Sequence, residues 1–354
     1  MMQFLKRFNL FGGRTVKTGI SVFITALICS FFDLPVVFAV ITAVVTIEHT
    51  VVASIRKAAV RFPAAAIGAL IAVMMYSMFD KGALAYGLAA MLTIGICHKL
   101  KLDDGITVAT ITAIAMIPDF GDNEIVSFIV RLGTTSIGIV VSTLVNFFLL
   151  PPNYTTTILK NLYMMNRTAS QLLRKILLDI TDESRQKTSF LRRLHRQLTT
   201  RLERTEVLLN FQREEWKYHR HSRGDLKQLV YVKEHLSLMH QIVYQLGNML
   251  YARETTPSFD ENEKELILYL GKLYAQVITD KTHKISEEQF KLVEDLDQRL
   301  WEWREHHIEQ RYGYRHHFVA EVVLIYELLS FHDVLEEMHL LTKKHEDHII
   351  TYDD

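Results

Sequence analysis

Charge is scarce in the first part of this chain, and that scarcity bounds what the chain can be. Residues 1–154 hold 11 of the 40 Lys and Arg and 8 of the 40 Asp and Glu. A soluble domain of that length carries more charge toward water. Cysteine is nearly missing as well: there are 2. Cys29 and Cys97 lie in separate apolar runs, which excludes a disulfide framework or a metal motif and leaves small apolar filler. The chain has no Gly-x4-Gly-Lys-Ser/Thr stretch, so transport driven by its own ATPase is not expected. It shows no nucleophile–base or metal-ligand constellation, so an enzyme is not expected either. No cofactor, metal or nucleic-acid partner is implied.

What the first part does have is apolar runs: Val16–Phe32, Pro35–Ile47, Phe62–Phe79, Leu84–Cys97, Ile106–Ile117 and Ile125–Leu150. A bilayer core takes about 20 apolar residues per helix, with roughly 17 as a lower limit. The second, fourth and fifth runs reach that only with flanking Thr, Gly or His, which neighbouring helices in a bundle would tolerate. The expectation is a six-span transmembrane domain over residues 1–154, with a lipid bilayer as its first partner. The first run is expected to be a retained span, since it is longer than a signal core and another span follows it at once. Phe4, Leu5, Phe8 and Phe11 among Lys6, Arg7 and Arg14 suit either a short amphipathic helix in the headgroup plane or a basic tail.

Basic residues orient these spans. With the N-terminus in the cytoplasm, inside segments hold nine: Lys6, Arg7, Arg14, Lys17, Arg56, Lys57, Arg61, Lys99 and Lys101. The outside turns hold Lys81 with Asp33, Asp80, Asp119, Asp122 and Glu124. Lys and Arg collect on the cytoplasmic side of membrane proteins. Both termini are therefore expected in the cytoplasm, with the protein in the plasma (inner) membrane.

The chain also matches itself. Phe38–Val73 lies over Val108–Thr143 without a gap, with 10 identities in 36. Ile41-Thr42-Ala43 falls on Ile111-Thr112-Ala113, Arg61 on Arg131, and Ile67-Gly68 on Ile137-Gly138. Three spans per unit would give the halves inverted topology, an arrangement that places a substrate site near the midplane where the repeats meet. The competing reading is coincidence between two apolar hairpins of similar composition.

Arg131 stands inside the last run, after Phe128-Ile129-Val130. An isolated charge there is costly, so it faces water, an acid or a ligand. Its planar fork can grip a carboxylate at two points. The alternative is a side chain that snorkels outward or pairs with Asp119, Asp122 or Glu124. Arg61, its repeat partner, would lie at the other mouth of the same pathway. Thr42, Thr112, Thr135 and Asn146 belong to a series of small polar residues that suits either pathway lining or close helix packing. Gly68, Gly133 and Gly138 read as close-packing positions. Glu48, His49 and Asp104 fall at the cytoplasmic side, where titratable groups could couple export to protons; Asp103 and Asp104 also read as caps before Ile106.

Residues 155–354 are rich in charge and helical throughout. Leu191, Leu194, Leu198, Leu202, Thr205 and Leu209 form one apolar stripe. Helices are expected over Thr156–Ile180, Gln186–Arg223, Asp225–Glu254, Asp260–Thr282, Ser286–His307 and Arg315–His345, with a capping box at Ser286–Gln289. The sum is a bundle of long antiparallel helices with coiled-coil-like stripes. His219, His221, His306, His307, His316, His317, His345 and His348, and the pair Trp301 and Trp303, read as solvated faces or packing, since adjacent histidines diverge on a helix.

Several stretches carry a family resemblance: Gly13-Arg14-Thr15-Val16-Lys17-Thr18, Phe38–Ala43, Ser54 through Arg61 to Gly68, Val108–Thr112, and Arg131–Gly138 running to Asn146 and Pro151-Pro152. The membrane part of the chain, up to Leu150, resembles the aromatic acid exporter family, within the wider fusaric-acid-resistance-like membrane superfamily. The remainder is similar to the helical domain that follows the spans in bacterial members. The resemblance implies secondary export of small organic acids, aromatic ones among them, across the plasma membrane. Plant malate channels of similar architecture imply an alternative, an organic-anion channel gated by the helical domain. A membrane-anchored scaffold or sensor is the reading from another class. Some exporters of this kind carry two six-span units in one chain, which implies a homo-oligomer here, a dimer or higher.

The topology has a direct test. Single cysteines at Lys81 and Asn123 should react with an impermeant reagent added outside intact cells, and one at Lys99 should not. Outside labelling at Lys99 would overturn the orientation.

Overall fold

The computed structural model describes residues 12–119, 124–149, 153–181, 188–217, 223–254, 257, 259–309 and 320–345. Among these the chain is all-α, as its periodicity predicts. Twelve α-helices run in order: α1 Gly13–Phe31, α2 Val36–Thr46, α3 Val51–Phe79, α4 Ala83–Lys99, α5 Ile106–Met116, α6 Glu124–Phe148, α7 Thr155–Ile180, α8 Thr188–Glu215, α9 Arg223–Glu254, α10 Glu261–Thr279, α11 Glu287–Glu309 and α12 Ala320–His345. The expected headgroup segment at Phe4–Phe11, Asp122, Asn123, Pro151-Pro152, the break at Tyr312-Gly313, His219, His221, His316, His317 and His348 lie outside the described residues. So do the side chains of Trp303, His306 and His307.

The chain forms two compact units. One is residues Met1–Asn153 with Phe211–Arg220; the other is Tyr154–Asn210 with His221–Asp354.

In the first unit the usual radial order is inverted. The inside is small and polar: Ala39, Ala43, Ala64, Ala65, Ala69, Ala109 and Ala113 are buried beside Ser21, Thr25, Thr46, Thr93 and Ser142. The outside is large and apolar, with Phe23, Phe31, Leu70, Met78, Leu84, Ile129 and Phe148 exposed. Lipid tails make that outside favourable, and small residues let helix backbones approach where no hydrophobic force draws them together. Three helices, α1, α3 and α6, are long and apolar enough to cross a membrane. The other three are shorter: α2 and α5 have 11 residues each and α4 has 17. At 1.5 Å per residue α2 and α5 are about 16 Å long, roughly half a bilayer core. The apolar pattern predicts a third span from Phe62, but α3 begins at Val51 and carries Arg56, Lys57 and Arg61 in its first turns, with Pro63 inside the helix. Charge conceals those turns in the sequence because Lys and Arg are rare inside spans.

The two halves of this unit pack by one rule. α1 contacts α2 and α6; α4 contacts α5 and α3; α2 packs on α6, α5 on α3, and α3 on α6. Replacing each helix by its repeat partner reproduces this set. The closest approaches obey it too. A Cβ at Gly68 would overlap the carbonyl oxygen of Ala109, and a Cβ at Gly138 would overlap that of Ala39. Gly138 and Ala109 are the repeat equivalents of Gly68 and Ala39. Gly133 has nothing within 4 Å of such a Cβ, so its expected packing role is not what the structure shows. It faces open space on α6.

The second unit has a conventional core. Leu172, Leu173, Ile176, Leu198, Leu246, Leu270, Leu328 and Leu335 are among its buried residues. α7 packs on α9 and α10, and α12 on α9 and α11. Tyr274 stacks on Phe331 at 5.8 Å and donates to the Leu328 carbonyl at 3.1 Å. At Ser286 only half the expected capping box forms: the hydroxyl accepts from Gln289 N at 3.2 Å, while the Gln289 amide turns to His332. The complete box is at Asp260 and Glu263, at the start of α10. His345, grouped from the sequence with the histidines of solvated faces, is buried at the end of α12. His235 is buried 5.5 Å from the His283 ring. Burial, with the nearby His283 adding to it, pushes His235 down to about 3; burial also lowers His283. Both are neutral at pH 7.

The reciprocal glycines give a clear test. Gly68→Val and Gly138→Val should each lower stability by about 1–3 kcal/mol, because the facing atom is backbone and cannot rotate away. Gly133→Ala should be neutral or mildly stabilising. Unfolding in mild detergent reads all three; equal effects at the three positions would remove the close approach as the cause.

Candidate functional site

The polar interior of the first unit is concentrated around the α2–α3 connection. Asn146, on α6, donates from Nδ2 to Ser54 Oγ at 2.7 Å and to the carbonyls of Thr50 and Glu48 at 3.3 and 3.4 Å. Its Oδ1 accepts from Lys17 Nζ of α1 at 2.9 Å. Arg14, one turn before Lys17, donates to the Ile47 carbonyl at 3.1 Å. Thus α1 and α6 both anchor the non-helical link Ile47–Thr50. Such a link has unpaired carbonyls, and burying them requires donors.

Arg61 is the next layer. It is buried and donates to Glu48 Oε1 at 2.8 Å, to the Val45 carbonyl at 3.1 Å and to the Asp104 carbonyl at 3.3 Å. Lys57 pairs with Glu48 at 3.2 Å and lies 3.9 Å from Asp104. Of the residues singled out from the sequence, Arg61, Glu48, Asp104 and Asn146 are therefore brought together. Glu48 is shared by two cations there. His49 is placed differently, stacked on Phe211 at 5.2 Å. Beside it, Thr50 Oγ1 donates to Glu214 at 2.6 Å and Val51 N to Glu215 at 2.7 Å. Carboxylates at the first turn of α3 suit its positive helix end.

Arg131 sits on α6 in a different setting. Its guanidinium lies 3.4 Å from the centroid of the Phe38 ring, on α2, and donates to Thr112 Oγ1 at 3.3 Å, on α5. It is 6% exposed, which places it inside the helix bundle. Elements of both repeats meet at this residue. At the positions equivalent to Glu48 and Lys57 the second half has Pro118 and Ser127. The two arginines are equivalent in the repeat and unlike in environment.

The hydroxyl series divides. Thr42 donates to the Phe38 carbonyl four residues back, Thr134 to that of Arg131, and Ser142 to that of Ile139. Thr135 is buried, and its hydroxyl has no hydrogen-bond partner among the described residues. Sequence reasoning does not single out Lys17, Ser54, Phe38, Glu214 or Glu215 as site residues. For Lys17 a legible signal exists, since Arg14 and Lys17 stand three residues apart on one helix face. Phe38 and Glu215 have no local signal, because their partners are far along the chain.

An all-α unit with a lipid-compatible outside, a polar inside and two interlocked three-helix halves is a membrane protein built on an internal repeat, as many transporters are. The comparisons with known proteins give the family. Residues 9–149 match the family model described as "Aromatic acid exporter family member 1". The chain is 39% identical over 356 residues to a UPF0421 protein of Bacillus cereus, covering 98% of this chain and 97% of that one. A UPF0421 protein of Oceanobacillus iheyensis is 35% identical over 353 residues, 97% and 99% of the two chains. One of Staphylococcus haemolyticus is 33% identical over 328 residues, 91% and 96% of the two. The chain belongs with these UPF0421 proteins, which it matches over nearly its whole length, and its residues 9–149 belong to the aromatic acid exporter family, as their motifs suggested.

The Glu48–Arg61 pair should behave as a coupled unit. Glu48→Ala alone should cost about 3 kcal/mol by stranding a buried guanidinium. The Glu48→Ala/Arg61→Ala double variant should cost less than the two single changes together. Additive losses in detergent unfolding would mean that the pair is not coupled.

Proposed function

We propose that this protein is a secondary transporter that exports small organic acids, aromatic ones among them, across the plasma membrane. Arg131 carries this reading. A guanidinium buried in the bundle, flanked by an aromatic face and a hydroxyl, offers the complement of an aromatic carboxylate. The fork takes the carboxylate at two points, and Phe38 lies beside the place where the ligand ring would sit. Thr112 and Thr135 belong to the same helix faces. In this reading Arg61 lies at the cytoplasmic end of the route, with Glu48 and Asp104 as the groups that exchange a proton during the cycle. Both termini are cytoplasmic, and the working form is a homo-oligomer. Membership of an exporter family supports the direction of transport and the class of cargo.

The test is flux. Purified protein in proteoliposomes, given a panel of carboxylates with and without a pH gradient, should move at least one aromatic acid in a gradient-dependent way. Arg131→Ala should abolish that flux with assembly unchanged. Arg131→Lys should keep part of it, since the charge stays and the two-point grip is lost. Wild-type flux of every acid through Arg131→Ala would refute the role of this residue. Electrogenic current indifferent to pH would instead identify an anion channel.

A further inference from the structure

The helical unit has its own concentration of positive charge. Between α7 and α8 lies an open cavity of about 890 Å³, lined by Arg196, Arg201 and Arg204 together with the hydroxyl-bearing Thr168 and Thr200. Small-molecule sites run from about 300 to 1,000 Å³. Val207 and Leu208 form an apolar end to it.

Charge here is uncompensated. No carboxylate lines the cavity. None of the three arginines forms an ion pair among the described residues. Of the nearby acids on the same helix, Glu206 engages His240 at 2.6 Å, and Glu203 is exposed to solvent and does not line the cavity. Arg201 and Arg204, three residues apart, share one face about 4.5 Å apart along the axis. Like charges at that spacing repel, and an anion between them removes the repulsion. Arg201 is half-buried, so it is held more closely against the bundle than a free surface arginine. The next turn of the same face is Val207 and Leu208, where an apolar group on the anion would leave water.

We propose that this cavity is a binding site for a small organic carboxylate with an apolar or aromatic body. The Arg201–Arg204 pair clamps the carboxylate, Arg196 adds long-range attraction, and Val207 and Leu208 receive the body. The helical unit is then a sensor of the kind of acid the membrane unit moves. The tie to the exported class rests on the preceding section; binding at the cavity does not.

The experiment is titration calorimetry on the full chain in neutral detergent, with 2-naphthoate, benzoate, uncharged naphthamide and inorganic phosphate. It is run in the Arg131→Ala background, so that the membrane candidate cannot contribute. Naphthoate should bind more tightly than benzoate, and naphthamide should not bind. Arg201→Gln/Arg204→Gln should raise the naphthoate Kd about tenfold or more, and Arg201→Lys/Arg204→Lys should raise it less. The lysine pair keeps the helix and the charge, so it separates loss of the clamp from loss of fold. Unchanged affinity in the glutamine pair would overturn the site. Absence of any carboxylate binding in the Arg131→Ala chain would do so too, whatever the flux measurements give. Phosphate binding as tight as naphthoate, and lost in the same variant, would overturn the ligand class.

Discussion

Backbone contact between the two halves of the membrane unit is the constraint on which its other features depend. Gly68 lies against the Ala109 carbonyl and Gly138 against that of Ala39. In lipid, apolar surface gives helices no reason to associate, and close packing with polar contacts has to hold them. Each contact joins a long helix of one half to a short helix, so the long and short elements of the two halves close on one another by the same device. The large apolar side chains are then left for the outside, and the small and hydroxyl-bearing ones for the interior.

Within that symmetric frame the two arginines have diverged. Arg61 is bound to Glu48, Val45 and Asp104, and the short link after α2 is fastened by Lys17 and Asn146. This end of the unit is a locked polar network. Arg131 has the Phe38 ring and the Thr112 hydroxyl among its partners. Sequence symmetry supplies the same cation twice; the acid that fixes one of them, Glu48, is Pro118 in the other half. A repeat whose two equivalent cations are set among different side chains has a built-in difference between its two ends.

The helical unit follows the opposite solvent rule, with leucines inside and charge outside. Burial holds His235 and His283 below the usual histidine range, while the α7–α8 cavity gathers arginines without acids. The two features arise from one cause. Helix faces that point inward are selected for volume, and those that open to water are free to carry charge for another purpose.

Much of this was legible in the chain. Composition separated the two solvents, the periodicity of residues 155–354 marked out its helices, and the internal repeat marked Arg61, Arg131, Gly68 and Gly138 as related. Those signals are local or translational, so a linear reading reaches them. It did not reach the early start of α3, because Arg56, Lys57 and Arg61 mask a helix that continues beyond the apolar core. It did not reach Phe38 beneath Arg131, Glu215 at the head of α3, or the arginine-lined cavity, and it assigned Gly133 a contact it lacks. Each of these depends on which faces of distant helices come together. The sequence by itself determined helix, solvent and family, because periodicity and hydropathy are properties of neighbours along the chain. Which side chains surround each arginine was decided by tertiary packing, because a charge in a low-dielectric interior takes its character from whatever the fold places within a few ångströms of it.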